Sequence, residues 1–188
     1  MCRKFIVLLV AAAASFPVPL VAQTVKIGLI NSYTGFVAQA GDEGQKGFDL
    51  YLKEHEKDLP PGVKIEVIRR DDTSTPEVGK RLAQELIARE HVQLLAGVVL
   101  SPVAAAIAPL TAEAKVPMLL CIASAGVQIP RISPYVARVS FTLWQQGYPI
   151  GKWAAEQGWK TAFTAVSDFI PGHDSEMSFT KGFTDGGG

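Results

Sequence analysis

Short apolar runs alternate with amphipathic stretches along this chain from residue 25 onward. Runs of about 4–8 apolar or alternating residues between turn signals are typical of β-strands. The predicted strands are residues 25–30, 63–71, 92–99, 116–122, 135–139 and 160–166.

Helix signals lie between these strands. Thr75 followed by Pro76 is a typical helix start, because threonine caps a first turn and proline fits the first helical position. Ser101 and Pro102 repeat this signal, and we expect Pro109 to kink that helix or to end its first part. Two more predicted helices cover residues 144–157 and 172–183.

The alternation of strands and helices determines the predicted fold class. It predicts parallel strands joined by right-handed helical crossovers. We therefore expect an α/β fold, a Rossmann-like parallel sheet flanked by helices. Ligands bind outside the carboxyl ends of the strands in such sheets. Residues 25–48 contain a position of this kind, since a strand leads into a polar, glycine-marked loop that opens into a helix.

The first 22 residues have the organisation of a secretory signal peptide. Arg3 and Lys4 precede an apolar run at 5–14, and small residues come before Gln23. We expect cleavage after Ala22 and export to the periplasm. The alternative is an uncleaved membrane anchor, but an anchor needs about 20 apolar residues and prolines interrupt this run.

Composition and spacing argue against several function classes. The 18 basic and 18 acidic residues balance, so no basic excess favours nucleic-acid binding. His55, His91 and His173 are too scattered to indicate a metal site, and the first loop lacks the GxGxxG pattern of dinucleotide sites. We expect no cofactor. Asp71 and Asp72 have no third acidic ligand nearby, which favours a capping or solvated turn over a metal or phosphoryl site.

Several segments carry a resemblance to a known family. The loop at 33–42 reads YTGFVAQAGD, and the joint at 97–101 reads GVVLS. Arg138, Gln146 and Gly147 follow at the family's spacing. In this order behind a signal peptide, these motifs resemble type I periplasmic binding proteins of the leucine/isoleucine/valine-binding class.

The resemblance covers residues 25–188 and implies a fold and a function. Members of this class have two similar lobes around a cleft, and hinge closure buries the ligand. A complete first lobe is expected at 23–140 and the beginning of a truncated second lobe at 141–188. The implied function is capture, without chemistry, of a branched-chain amino acid or related small carboxylate for the membrane permease of an ABC importer. Relatives continue beyond the last residue, so we expect a fragment or a truncated gene product.

The resemblance also assigns ligand contacts. Ser101 and Ser124 match hydroxyl residues that bind the ligand in amino-acid-binding relatives, and Ile122 matches a small residue whose backbone touches it. A helix N-terminus after Ser101 would add free N–H groups and partial positive charge for a carboxylate. Without the resemblance, Ser101 is first of all a candidate N-cap, and Ser124 an ordinary loop hydroxyl.

Two departures from the family pattern concern the ligand. Ala40 stands where leucine-binding members have a pocket tyrosine, which leaves room for a bulkier acid, including an aromatic one. Phe169 lies in a segment that usually brings a tyrosine, and it can supply an aromatic wall. Tyr33 and Phe36 can stack on such a ligand or simply pack their own loop.

Two other functions stay open at this point. A ligand-sensing domain of a receptor or regulator uses the same fold, and an appended signalling region would decide for it. An exported α/β enzyme is the other alternative. Turnover of a substrate would support it, but the sequence offers no nucleophile–base pair.

Overall fold

The computed structural model describes residues 23–126 and 129–188, so the predicted signal peptide lies outside the described residues. The strands are β1 (Gln23–Asn31), β2 (Val63–Asp71), β3 (Leu94–Gly97), β4 (Met118–Leu120) and β5 (Val136–Arg138). The helices are α1 (Ala38–Glu54), α2 (Pro76–Ala88), α3 (Ser101–Ala114), α4 (Ile129–Ile132), α5 (Leu143–Glu156) and α6 (Ile170–Asp185), with a 3₁₀ turn at Glu56–Asp58. None of these helices is long and apolar enough to span a bilayer.

The strands form one parallel sheet in the order β2-β1-β3-β4-β5, which confirms the predicted α/β class. The chain moves outward from β1 to β2 and then returns to the other side of β1 for β3. The strand order therefore reverses between β1 and β3. The loops that follow these two strands diverge there, and this divergence opens a crevice at the carboxyl edge of the sheet.

Helices cover both faces of the sheet. On one face, Leu86 of α2 and Ile107 of α3 belong to the same buried cluster as Leu95 of β3. On the other face, Phe48 of α1 packs against a smaller cluster that contains Leu29. Burial of these apolar side chains holds the strands in register. The loops at the carboxyl edge therefore extend from a sheet that is packed on both faces.

Three strands are shorter than predicted, since the strand predicted at 135–139 also narrows, to 136–138. The strand predicted at 92–99 narrows to Leu94–Gly97, and it ends there because Gly97 and Val98 have positive φ angles of 98° and 60°, which turn the backbone out of the extended conformation. The run at 116–122 likewise narrows to three residues in β4. Helix α3 continues through Pro109 to Ala114, so the alternative that it ends at the proline was wrong.

The first turn of α1 lies directly against the loop that follows β1. A methyl group at Gly41 would overlap the carbonyl oxygen of Ser32, whereas the same group at Gly47 would meet no atom within 4 Å. We expect Gly41→Ala to destabilise the fold by about 1–3 kcal/mol, because the helix would have to move off the loop.

Gly47→Ala is the matched control on the same helix. It should raise the free energy of unfolding by roughly 0.5–1 kcal/mol, since alanine loses less backbone entropy in a helix than glycine does. Urea unfolding of both variants measures the two effects. Equal stability changes at the two positions would show that α1 does not press on the loop.

Helices α5 and α6 confirm the helices predicted at 144–157 and 172–183, and they pack closely against each other. Phe183 of α6 forms a small buried cluster with Ala154 and Ala155 of α5. Side chains at Gly151 and Gly182 would overlap backbone oxygens of the partner helix. The two backbones therefore approach within a distance that only glycine permits.

The strand predicted at residues 160–166 was wrong. This segment has no regular secondary structure, its side chains are exposed, and Phe163 is completely solvent-accessible. Its β-branched and aromatic residues are suited to a sheet, but a strand needs a hydrogen-bonded neighbour. Within the described residues no strand pairs with it, and the edge strand β5 pairs only with β4.

Candidate ligand-binding site

Three loops meet at the carboxyl edge, and Val98 joins them. Its N–H donates to the carbonyl oxygen of Ile30 at the end of β1, at 2.7 Å, and its own carbonyl accepts from the N–H of Ala123 beyond β4, at 3.0 Å. A left-handed conformation is strained for a β-branched residue such as Val98. Strain of this kind persists where the surroundings impose it, and it clusters at functional sites.

Ser101 lies beside the loop at 122–126, which we call the ligand loop. The residue is the first of α3 and Leu100 is the N-cap, so the candidate N-cap interpretation of Ser101 was wrong. Its hydroxyl oxygen instead accepts from the N–H of Ala125, at 3.0 Å, across the carboxyl edge. The side chain is 2% exposed. This bond uses the oxygen as an acceptor, so the hydroxyl proton can still be donated to a carboxylate.

Ser124 and Ile122 occupy the ligand loop itself, and both are half-buried. The carbonyl oxygen of Ser124 accepts from the N–H of Leu143, at 3.1 Å, where the chain enters α5. The Ile122 side chain reaches toward α1, close to Gly44. The ligand loop therefore contacts α1 on one side and the start of α5 on the other.

Asp71 holds the loop that follows β1. Its Oδ1 accepts from the backbone N–H groups of Tyr33 and Thr73, both at 2.9 Å, and its Oδ2 accepts from the hydroxyl of Thr34, at 2.7 Å. Burial raises the pKa of Asp71, but the hydrogen bonds together outweigh burial and bring the pKa below its ordinary value. The charged carboxylate is thus part of the loop's structure.

Asp72 is fully buried behind the same loop, so the expectation of a solvated turn was wrong for this residue. Its Oδ1 accepts from the hydroxyl of Ser32, at 2.6 Å, and from the N–H of Ser74, at 2.9 Å. Burial raises the pKa of this carboxyl group. The partners of both carboxylates are backbone N–H and hydroxyl groups of the loops after β1 and β2, so the pair stabilises these loops and does not cap α2.

Tyr33 faces α1 and is half-buried, and its phenol donates to Gln45. Burial raises the pKa of this phenol. Among the described residues, no hydrogen bond joins its side chain to Ser101 or Ser124. A stacking role on the ligand stays a prediction, while the alternative of loop packing is consistent with the observed bond to Gln45.

Phe169 and Phe36 form an aromatic pair at the mouth of the crevice. Their ring centroids are 6.4 Å apart and the rings are nearly perpendicular, in an edge-to-face arrangement. Phe169 is half-buried against the main core, whereas Phe36 is 73% exposed. Phe36 belongs to the loop after β1, and Phe169 directly precedes α6. The pair therefore joins the loop after β1 to the segment that precedes α6.

A cleft of about 670 Å³ opens beside the ligand loop. Trp144 of α5 and Met177 of α6 give it apolar walls, and Gly126 lines its ligand-loop side. Asp174 is its buried polar group, and one carboxylate oxygen accepts from the indole N–H of Trp144 at 3.0 Å. The sequence patterns did not indicate this pair, because the two residues lie on different helices.

Residues 24–188 match a family model described as periplasmic binding protein. The chain belongs to the periplasmic binding protein family. The family suggested by the sequence motifs is thereby confirmed. The family is one of solute-binding proteins, and its name gives a periplasmic location.

Similar members of the periplasmic binding protein family include curated Brucella relatives and many solved structures. The Leu/Ile/Val-binding protein homolog 6 of Brucella abortus is 38% identical over 179 residues, which are 95% of this chain and 44% of that protein. A solute-binding protein of an ABC transporter from Rhodopseudomonas palustris, in complex with 3,4-dihydroxybenzoic acid, is 45% identical with a TM-score of 0.82. Another from the same species, in complex with 4-hydroxybenzoate, is 41% identical with a TM-score of 0.81.

The alignment is partial in each case. Both structural matches cover 88% of this chain and 45% of the other chain. The chain therefore spans a little under half of the length of these periplasmic binding proteins.

Proposed function

We propose that this chain is the ligand-binding part of a solute-binding protein that captures a small aromatic carboxylate for the permease of an ABC importer. The observation that carries the proposal is the arrangement at the carboxyl edge. Two serine hydroxyls, Ser101 and Ser124, lie there with an aromatic pair, Phe36 and Phe169, at the mouth of the crevice. Hydroxyl donors suit a carboxylate, and aromatic rings suit the flat face of a benzoate.

Two similar solute-binding proteins support this ligand class. The two Rhodopseudomonas proteins, 45% and 41% identical, were crystallised with hydroxylated benzoates. Ala40 is consistent with such a ligand, because a methyl side chain leaves more room in the pocket than a tyrosine would. A branched-chain amino acid is the second candidate, and the name of the Brucella relative favours it.

The roles of the individual segments are part of the proposal. Residues 23–140 form the first lobe, residues 141–188 begin a second lobe, and the ligand is bound between them without turnover. Ser101 and Ser124 donate to the carboxylate, the backbone at Ile122 contacts the ligand, and Tyr33 and Phe169 flank it. A binding protein of this kind needs no nucleophile and no cofactor.

Native mass spectrometry of the protein purified from its own organism tests the proposed ligand class. We expect a co-purified molecule with the mass of a hydroxylated benzoate. A branched-chain amino acid in its place would support the second candidate. A nucleotide, a sugar phosphate or a covalent reaction product would contradict the proposed class.

We also expect the mature protein to begin at Gln23 in the periplasm, because a basic segment, an apolar run and small residues occur in that order before it. N-terminal sequencing of the periplasmic fraction checks this expectation. A protein that keeps Arg3 and Lys4 and sediments with membranes would contradict it.

A further inference from the structure

Arg138, the last residue of β5, donates three hydrogen bonds to the ligand loop. Its Nε donates to the carbonyl oxygen of Ala123 at 3.0 Å. Its Nη2 donates to the carbonyl oxygens of Ala125 and Gly126, at 2.7 and 3.2 Å. These carbonyl groups lie on both sides of Ser124. One planar guanidinium thus fixes the peptide groups that surround the proposed ligand contact.

The opposite side of the same loop is held by β3 and α3. The N–H of Ala123 donates to the carbonyl oxygen of Val98, and the N–H of Ala125 donates to the hydroxyl of Ser101. At both alanines the N–H group is bound by the β3–α3 joint and the carbonyl group by Arg138. The conformation of Ser124 therefore depends on Arg138 as much as on the β3–α3 joint.

We propose that Arg138 is a positioning residue of the ligand site. It fixes the ligand loop so that the Ser124 hydroxyl and the Ile122 backbone are presented to the ligand, and it does not itself touch the ligand. The part of this inference that concerns affinity rests on the proposed function. The part that concerns the conformation of the loop does not.

The surroundings of Arg138 make arginine hard to replace. The side chain is half-buried, and burial lowers the pKa of the guanidinium while the charge of Asp174 on α6 partly offsets this effect. A lysine keeps the positive charge near Asp174, but it lacks the rigid fork of donors that reaches separate carbonyl groups. The bond geometry, rather than the charge alone, is what the ligand loop requires.

Amide hydrogen exchange, followed by NMR on this chain, tests the positioning role directly. Three amides report on the conformation of the ligand loop. The N–H groups of Ala123 and Ala125 belong to the loop, and the N–H of Leu143 donates to the carbonyl oxygen of Ser124 within it. We expect Arg138→Lys and Arg138→Ala to accelerate exchange at these amides about tenfold or more, the equivalent of about 1.4 kcal/mol. Amides of β1 should change by much less.

Affinity for 4-hydroxybenzoate, measured by calorimetry on the natural gene product, is the second readout. We expect Arg138→Ala to bind about tenfold more weakly or worse, and millimolar guanidinium chloride to restore part of the loss. Sodium chloride at the same ionic strength should restore no affinity.

Arg70→Ala is the matched control for this experiment. Arg70 is also a half-buried arginine, and its guanidinium donates hydrogen bonds to Glu85 and Glu90, far from the ligand loop. It should lose stability without guanidinium rescue of affinity.

The outcomes separate the two hypotheses. If the wild-type protein binds no benzoate but the loop amides respond to Arg138→Lys, the proposed function is wrong and the positioning role stands. If the loop amides and the affinity are both unchanged in Arg138→Lys, the positioning role is wrong. If Arg138→Ala does not fold, Arg138→Lys alone decides by its exchange at Ala125.

Discussion

Replacing Ser101 by alanine should weaken binding of an aromatic carboxylate by roughly ten- to a hundredfold, which corresponds to about 1.4–2.8 kcal/mol. Two losses combine in this variant. The hydroxyl can no longer donate to the charged ligand, and the buried N–H of Ala125 loses its acceptor. The second loss also loosens the ligand loop around Ser124. Calorimetric titration of the natural gene product with 4-hydroxybenzoate measures the effect.

Ser133→Ala is the control for this experiment. Ser133 is also fully buried, and its hydroxyl oxygen accepts from the hydroxyl of Thr111 and from the N–H of Tyr135, at 2.7 and 3.1 Å. It precedes β5 and therefore lies at the opposite edge of the sheet. Both variants should lose stability, but only Ser101→Ala should lose affinity. Equal affinities in the two variants would place the ligand elsewhere.

The backbone amides of residues 161–166 should exchange with solvent at close to the rate of an unstructured peptide. Amides in β1 should exchange at least about a thousandfold more slowly, because their exchange requires unfolding of the packed sheet. The reason for the difference is structural. Both segments contain residues that favour strands, but only β1 has a paired strand on each side.

Hydrogen exchange followed by mass spectrometry on this chain separates the two segments. The matched internal reference is α6, which directly follows the exposed segment and packs against α5. It should be protected to an intermediate degree. Protection of residues 161–166 equal to that of β1 would mean that these residues do form a strand in solution.

Local signals in the sequence predicted most of the fold. Pro76 marks the start of α2 as expected, since proline at the first helical position is a backbone property that neighbours do not change. The end of β3 was missed because Val98 is apolar and continues the hydrophobic pattern, while its backbone has already turned. At residues 160–166 the side chains are of types that favour strands. A strand also needs a hydrogen-bonded partner that is distant in sequence, and the local pattern carries no information about that partner.

The candidate site could be located from the sequence only in outline. Its loops lie at the carboxyl edge, as the strand–loop–helix pattern predicted. The partners of individual groups could not be predicted, because Ser101 bonds to Ala125 and Arg138 clamps three carbonyls, all from segments distant in sequence. Spacing alone identified Arg138 as part of the family pattern, but it gave no indication of what the guanidinium contacts.

Calorimetric titration of the natural gene product with 4-hydroxybenzoate and, separately, with L-leucine tests the central claim most directly. The proposed function predicts saturable one-to-one binding of the benzoate with a Kd of about 1 µM or lower, near −8 kcal/mol, and at least tenfold weaker binding of leucine. Tighter binding of leucine than of the benzoate would contradict the aromatic ligand class and support a branched-chain amino acid. A folded protein that binds neither carboxylate would contradict the proposal that this crevice is a carboxylate site.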